Sequence, residues 1–491
     1  MPWLEAVRGP QRLRATLRDA LHADRIIVVS NREPWMHVQC GNRIEAMRPA
    51  SGLVSALEPV IRACSGTWIA HGAGSADRES VDRQDRVPVP PGSPAYRLRR
   101  VWLSADEEAG YYDGFANAGL WPLCHTAGIP PRFRPADWAH YQAVNRRFAD
   151  AVEEEAHGET PVVLVQDYHL ALLPRLLRRR LPRATIIAFW HVPWPDADRL
   201  ATCPWREQIV HGLLGASLLG FQGPGDSVRF LDAAGACAGV TVRRSAAVAL
   251  HEDHATEVRH YPASIEWPPA AMEEQAPIAV ARARVRAALD LDAQVRIGIG
   301  IDRLDATKGL PERFAAIERL LEREPRWIGR FTFVQVAAPS RPCAGEAPCL
   351  ESRLRADAAR INSRFGTASW KPIRLNTEVQ PPERVFEYYR AADLCFVSSL
   401  HDGMNLVAKE FVAARDDEHG VLVLSRYAGA ARELPQALIV DPRNTAQCAE
   451  ALHAALTMAP AAQRERMRAM RRTVEHFDAC RWAGNMLLDG V

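Results

Sequence analysis

The residues able to do chemistry gather where apolar runs end. HDGMNLVAKE (401–410) sets Asp402, Gly403, Met404, Asn405 and Leu406 between the strand-like CFVSS and a helical pattern that carries Lys409 and Glu410. The first amides of a helix lack carbonyl partners and sit at the positive end of its dipole. The amides of Met404, Asn405 and Leu406 therefore predict an anion site. Asp402 could meet sugar hydroxyls, and Glu410, about two turns into the helix, could reach a ribose. The plainer reading is that Asp402 or Asn405 caps the helix and that Lys409 and Glu410 form an ion pair. IGIGIDRLDATKGLPERF (297–314) ends another run in Asp302-Arg303 and places Lys308-Gly309 before a helix. Two cations beside a glycine turn suit a diphosphate. The plainer reading pairs Arg303 with Asp305 and leaves Lys308 solvated. The phosphate-loop pattern Gly-x-x-x-x-Gly-Lys-Ser/Thr does not occur.

FWHVPWP (189–195) offers His191 at a strand end, its turn fixed by two prolines, as a donor to a sugar hydroxyl. In QDYHL (166–170), Asp167 could accept from an acceptor hydroxyl or act as a weak base, or could cap a helix starting at Tyr168. SNREPW (30–35) places Arg32 after the first strand. In RPASGL (48–53), Ser51-Gly52 precedes a helix, and glycine there lets backbone approach a phosphate. VAAPSRP (336–342) puts Arg341 after another strand. Two arginines from separate strands could clamp a phosphomonoester. GYYDGFANAGLWP (110–122) supplies Tyr112 and Trp121, which suit a sugar ring or an ordinary core. HEDH (251–254) and the Cys343/Cys349 loop lack metal-site spacing, so no metal is expected. RLLRRRLPR (175–183) reads as a solvated basic helix end.

These stretches need scaffolds that hold strand ends together. IIVVS (26–30), PVVLVQD (161–167), ATIIAFWHVPW (184–194) and ASLLGFQ (216–222) alternate with helical patterns, and the rhythm restarts at RIGIGIDRLD. Near-continuous Val/Ile/Leu strands alternating with helices predict an α/β fold with two doubly wound, Rossmann-like parallel sheets. The expected domains are 1–265 and 266–470, joined through the proline- and acid-rich SIEWPPAAMEEQAPI (264–278). Ligands of such sheets bind at the carboxyl ends of strands, where the candidate residues lie. The 491 residues carry 61 basic and 59 acidic side chains, a balance that predicts neither a nucleic-acid nor a membrane partner. Ten dispersed cysteines without Cys-x-x-Cys read as reduced thiols. The charged N-terminus lacks a secretory apolar core, and no run reaches bilayer length. The expectation is a cytoplasmic protein; a homo-oligomer is left open.

In chain order, SNR, the Gly-Leu loop, YY…F.N..LWP, DYHL, the His-x-Pro-x-Pro element, DRLDxxKG and DGMNLVAKE resemble the trehalose-6-phosphate synthase family, retaining glucosyltransferases of the GT-B fold. The resemblance spans most of the chain. It implies an active site in the cleft between the domains and a closing helix, within 471–491, that crosses back to the first domain. It implies UDP-glucose as the default donor and glucose 6-phosphate as acceptor, with no metal or other cofactor. Gly52, Arg303, Lys308 and the amides after Asp402 would hold the diphosphate, Glu410 the ribose and Asp402 the glucose. Arg32, Tyr112, Trp121 and Arg341 would hold the acceptor, and Asp167 and His191 would flank the reacting carbons. Gln166 stands where the family usually has His, Ser51 where it has Gly, and Ala306 where an aromatic is common. SNREPW and CPWREQIV are also similar to glucosylglycerol-phosphate synthases, which use glycerol 3-phosphate. A silent sugar-phosphate-binding relative is a further reading, and a sugar-nucleotide epimerase a more remote one.

Overall fold

Ile26–Val29, Val162–Gln166 and Leu218–Phe221 are buried along their whole length, and Thr185–Trp190 from its second residue on, so each must be covered on both faces, as a central parallel strand is. They form the middle of a ten-stranded sheet in the computed structural model, which describes residues 9–21, 26–49, 52–126, 128–158, 160–339 and 347–490. The spatial order is Val240–Arg243, Val248–His251, His254–His260, Leu218–Phe221, Thr185–Trp190, Val162–Gln166, Ile26–Val29, Thr67–His71, Tyr96–Val101 and Arg86–Val89. The pairings are parallel except at the two edges. A separate hairpin, Met36–Cys40 with Arg43–Met47, follows the first strand. Its Ile44 and Met47 are exposed.

The second sheet has six strands, all parallel, in the order Ile373–Asn376, Phe331–Ala338, Arg296–Arg303, Leu394–Val397, Val421–Ser425 and Leu438–Val440. The chain divides into two compact units, Met1–Ala263 with Asp478–Val491, and Ser264–Phe477. The second unit runs past the boundary expected at 470. Pro460–His476 is one continuous helix, and its Met467, Met470 and Val474 belong to the core of that unit. The closing helix, Ala479–Asp489, packs within the first unit on the helices Gly9–Leu21 and Gly52–Cys64.

The strand order of each sheet marks one place where the winding reverses. In the first unit the chain moves from Ile26–Val29 outward to Thr67–His71 and Tyr96–Val101, then returns to the other side at Val162–Gln166. In the second it moves from Arg296–Arg303 to Phe331–Ala338 and Ile373–Asn376, then returns at Leu394–Val397. Adjacent loops part company at such a reversal and leave a crevice at the carboxyl ends of the two strands.

Candidate active site

Both reversals are lined by candidate residues. In the second unit, Arg303 ends its strand and Asp402 follows Leu394–Val397, the strand beside it. Leu400 N donates to Thr307 O at 2.6 Å, stitching the two loops. Lys308 Nζ donates to Asp402 Oδ2 at 2.5 Å, and Ser399 Oγ and Asn405 Nδ2, each at 3.1 Å, donate to the same oxygen. Lys308 is thus not solvated: its side chain is 16% exposed. Burial alone would lower its pKa, but the carboxylates of Asp402 and Asp305 hold it above the ordinary lysine value. Arg303 lies 3.6 Å from Asp305, the pairing the plainer reading gave, with its side chain 46% exposed.

Asn405 is the N-cap of the helix Leu406–Ala414: its backbone is left-handed (φ +85°) and its Oδ1 accepts from Ala408 N. Capping and an anion site are compatible here, because one cap satisfies one amide of the first turn. Met404 is buried behind this turn and Leu406 opens the helix. Lys409 and Glu410 do not pair with each other. A buried Lys409 reaches Glu433 at 2.8 Å, whereas Glu410 Oε2 accepts from Tyr389 Oη at 3.1 Å. Successive helix positions point about 100° apart, which sends the two side chains to different partners. Burial raises the Glu410 pKa.

Arg313, which the sequence reading did not single out, holds this crevice from behind. It is fully buried and lies on the first turn of Leu310–Arg323. Its Nη1 donates to Asp302 Oδ2 at 2.6 Å and Gln335 Oε1 at 2.7 Å, and its Nε to Ser398 Oγ at 2.9 Å. Ser398 Oγ in turn donates to the carbonyls of Lys308 and Gly309. Space for the guanidinium comes from Gly300, where a Cβ would lie 2.3 Å from Nη1. Gly309 sits at φ +61°, and a Cβ there would lie 2.2 Å from the Ser398 carbonyl. An arginine on the apolar stripe Leu310, Phe314, Ile317, Leu320 was the available signal.

In the first unit the contacts run in a chain. Arg32 Nη2 lies 3.5 Å from Tyr112 Oη, the Tyr112 ring stacks on His169 at 5.5 Å, and His169 Nδ1 lies 3.9 Å from Asp167 Oδ2. His191 N donates to Asp167 Oδ1 at 3.2 Å, and His191 Nε2 meets Gln166 Oε1 at 2.8 Å. Asp167 does not cap the short turn Tyr168–Leu170. It sits at φ +71°, ψ 170°, a region that costs a non-glycine residue about 1–3 kcal/mol and is retained mainly at functional sites. Burial beside Phe189 and Trp482 pushes His191 down to about 3. The Gln166 contact engages Nε2 and leaves Nδ1 as the ring's other polar atom.

Tyr112 belongs to a π-helical segment, Ala109–Leu120, a rare form that is frequent at functional sites. Tyr168 Oη donates to Asn117 Oδ1 at 2.9 Å and ties that segment to the Asp167 loop. Trp121 stands apart from this chain, half-buried and stacked on His125 at 4.4 Å. Gly52 is the first residue of its helix. Arg341, Ser51 and Cys343 lie outside the described residues. Among the described residues no group of three or more His, Cys, Asp or Glu could hold a metal, and no helix is long and apolar enough to cross a membrane. Arg178 is no solvated charge: it donates to the carbonyls of Gly215, Pro182 and Ala184 and to Ser217 Oγ.

Comparison with known proteins adds to this geometry. A model of glycosyltransferase family 20 matches residues 24–489. Trehalose-6-phosphate synthase from Mycolicibacterium vanbaalenii is 37% identical over 470 residues, 94% of each chain. An E. coli trehalose-6-phosphate structure bound with UDP-2-fluoro glucose superposes with a TM-score of 0.81 at 31% identity, covering 94% of this chain and 99% of the other. The UDP-forming α,α-trehalose-phosphate synthase of Burkholderia xenovorans in complex with glucose-6-phosphate gives 0.81 at 30% identity, covering 95% and 99%.

Proposed function

The chain belongs to glycosyltransferase family 20 and has the GT-B fold, and on that premise we propose that it transfers glucose from UDP-glucose to glucose 6-phosphate, giving α,α-trehalose 6-phosphate and UDP. The observation that carries the reading is the second unit's crevice, where Lys308 and Arg303 stand beside a helix N-terminus and Lys308 grips Asp402. A diphosphate leaving group gains negative charge as the glucosyl bond loosens. Cations and amides already in place stabilise that charge without reorganising, the largest contribution in most such reactions. Arg303 and Lys308 take this role, with the amides of Met404, Asn405 and Leu406 at the entry to the helix. Asp402, steered by Lys308, faces the glucose hydroxyls, and Glu410 takes the ribose.

The first unit takes the acceptor. Arg32, Tyr112 and Trp121, with Arg341, hold its phosphate and sugar. Asp167 and the His191 ring orient its hydroxyls, and backbone at Gly52 approaches the donor phosphate. The acceptor hydroxyl attacks from the leaving group's side, and a donor phosphate oxygen takes its proton, so configuration is retained. This scheme needs no second carboxylate at a nucleophile's distance, unlike a retaining glycosidase, and no metal. Gln166 against His191 and the SNREPW loop favour glycerol 3-phosphate as the second acceptor to test.

The test is UDP release from UDP-glucose by the purified protein, with glucose 6-phosphate and glycerol 3-phosphate side by side and products identified. Trehalose 6-phosphate from the first is the expected result. Turnover with glycerol 3-phosphate alone overturns the acceptor and keeps the donor chemistry. Silence with both, together with binding of either phosphate, supports the non-catalytic relative.

A further inference from the structure

The loop that carries Arg32 is fastened by a charge cluster inside the first unit. Arg100, on the strand Tyr96–Val101, is 1% exposed, and its guanidinium contacts six polar atoms. Nε donates to Glu33 Oε2 at 2.9 Å. Nη1 donates to Asp77 O at 2.9 Å and Ser80 Oγ at 2.6 Å. Nη2 reaches Asp77 Oδ1 at 2.7 Å, His37 Nδ1 at 2.8 Å and Trp35 O at 3.2 Å. Glu33 Oε1 accepts from Ala73 N at 2.9 Å, and Asp77 accepts from His37 N and Gly74 N. Glu33 and Asp77 are also buried. Glu33 adjoins Arg32 in sequence, and Trp35 is two residues beyond Glu33.

We propose that Arg100 is a positioning residue for acceptor binding: through Glu33 and the Trp35 carbonyl it fixes the backbone from which Arg32 projects toward the acceptor phosphate. The inference rests on the acceptor reading above. A guanidinium with its plane filled by fixed acceptors can hold only one arrangement of the segments around it, which makes it a rigid staple. Two carboxyls facing one arginine leave one negative charge in excess when both are ionised. A proton retained on Glu33 removes that excess. The groups facing Glu33 are Asp77 from the turn before Arg78–Ser80 and Arg100 from its strand, while His37 of the hairpin touches both. Burial, with Asp77 alongside, raises Glu33 to about 8, and burial lowers His37, which therefore stays neutral. Loss of the Glu33 proton puts an uncompensated negative charge beside the Arg32 loop, where it opposes an anionic acceptor.

The experiment measures acceptor KM with UDP-glucose saturating, and the dissociation constant of glucose 6-phosphate by calorimetry, between pH 7 and pH 9. The wild type should show an acceptor KM that rises as pH passes about 8, whereas the ratio of KM at pH 9 to pH 7 in Glu33→Gln should fall close to one. Arg100→Met should raise acceptor KM at pH 7 about tenfold or more, with donor KM nearly unchanged, and Arg100→Lys should recover part of the loss. A Glu33→Gln ratio equal to that of the wild type overturns the inference, even should Arg100→Met fail to fold. So does an Arg100→Met protein that folds and binds glucose 6-phosphate as the wild type does. A wild type that binds glucose 6-phosphate without turnover sinks the catalytic reading instead and leaves the binding arms decisive.

Discussion

Arg303→Ala and Lys308→Ala separate a direct role in catalysis from a role in holding the crevice. At an effective dielectric of about 20, a cation about 4 Å from a unit of developing charge stabilises it by about 4 kcal/mol. Loss of one such contact in other enzymes costs about 2.7–4 kcal/mol, a factor of about 10² to 10³ in kcat. Each variant should therefore lose at least about a hundredfold in kcat. Their stabilities should differ. Arg303 is half-exposed and 3.6 Å from Asp305, a pairing worth about 0–1 kcal/mol. Lys308 is largely enclosed and grips Asp402, so its removal strands a carboxylate and should cost about 3 kcal/mol, the lower end for breaking a buried pair. The assay is UDP release at saturating donor and acceptor, beside thermal unfolding of the same preparations. Arg303→Ala is the cleaner arm: a large rate loss at nearly unchanged melting temperature. A kcat within about threefold of wild type in the folded Arg303→Ala protein would refute the electrostatic role given to that side chain.

Arg313→Met should destabilise the second unit by about 3–5 kcal/mol, because Asp302 is left charged and buried. Adding Asp302→Asn should return part of this in chemical denaturation, and a purely additive pair would deny the coupling. Gly309→Ala forces a side chain onto the Ser398 carbonyl at a left-handed position. It should cost more than about 1 kcal/mol and weaken UDP binding, read by calorimetry. His191, held near 3 when folded, should stay neutral from pH 5 to 9. The unfolded chain takes up its proton below about 6.5 and the native state does not, so this residue's contribution to stability falls as pH drops from about 6.5 toward 3. Nitrogen NMR of the imidazole checks this, and titration near pH 6.5 would contradict it.

The winding and the place of the candidate residues were legible because central parallel strands announce themselves as apolar runs, and the candidates were sought just past their ends. Ile26–Val29 with Arg32, and Leu394–Val397 with Asp402, are such cases. Elements defined by distant partners were not legible. YRLRRV (96–101) hides a strand behind three arginines, one buried only because Glu33 and Asp77 come from elsewhere in the chain. Lys409 beside Glu410 suggested a local pair, and its partner is Glu433, far along the sequence. The π-helical segment is rich in glycine and alanine, a composition that gives no 3.6-residue stripe to read. Arg313 reads as one more surface charge until Gly300 and Gln335 are known to surround it.

The closing helix gives the molecule an order of manufacture. Ser264–Phe477 is one uninterrupted stretch and can fold as soon as it leaves the ribosome. The first unit leaves earlier, yet Trp482, which walls His191 together with Phe189, arrives only after the whole of Ser264–Phe477 has been made. A nascent or prematurely terminated chain therefore carries its strands and crevice loops but an unfinished histidine pocket. Synthesis of the helix Ala479–Asp489 is the step that completes the first unit, so a chain cut short before Trp482 lacks one wall of the His191 pocket.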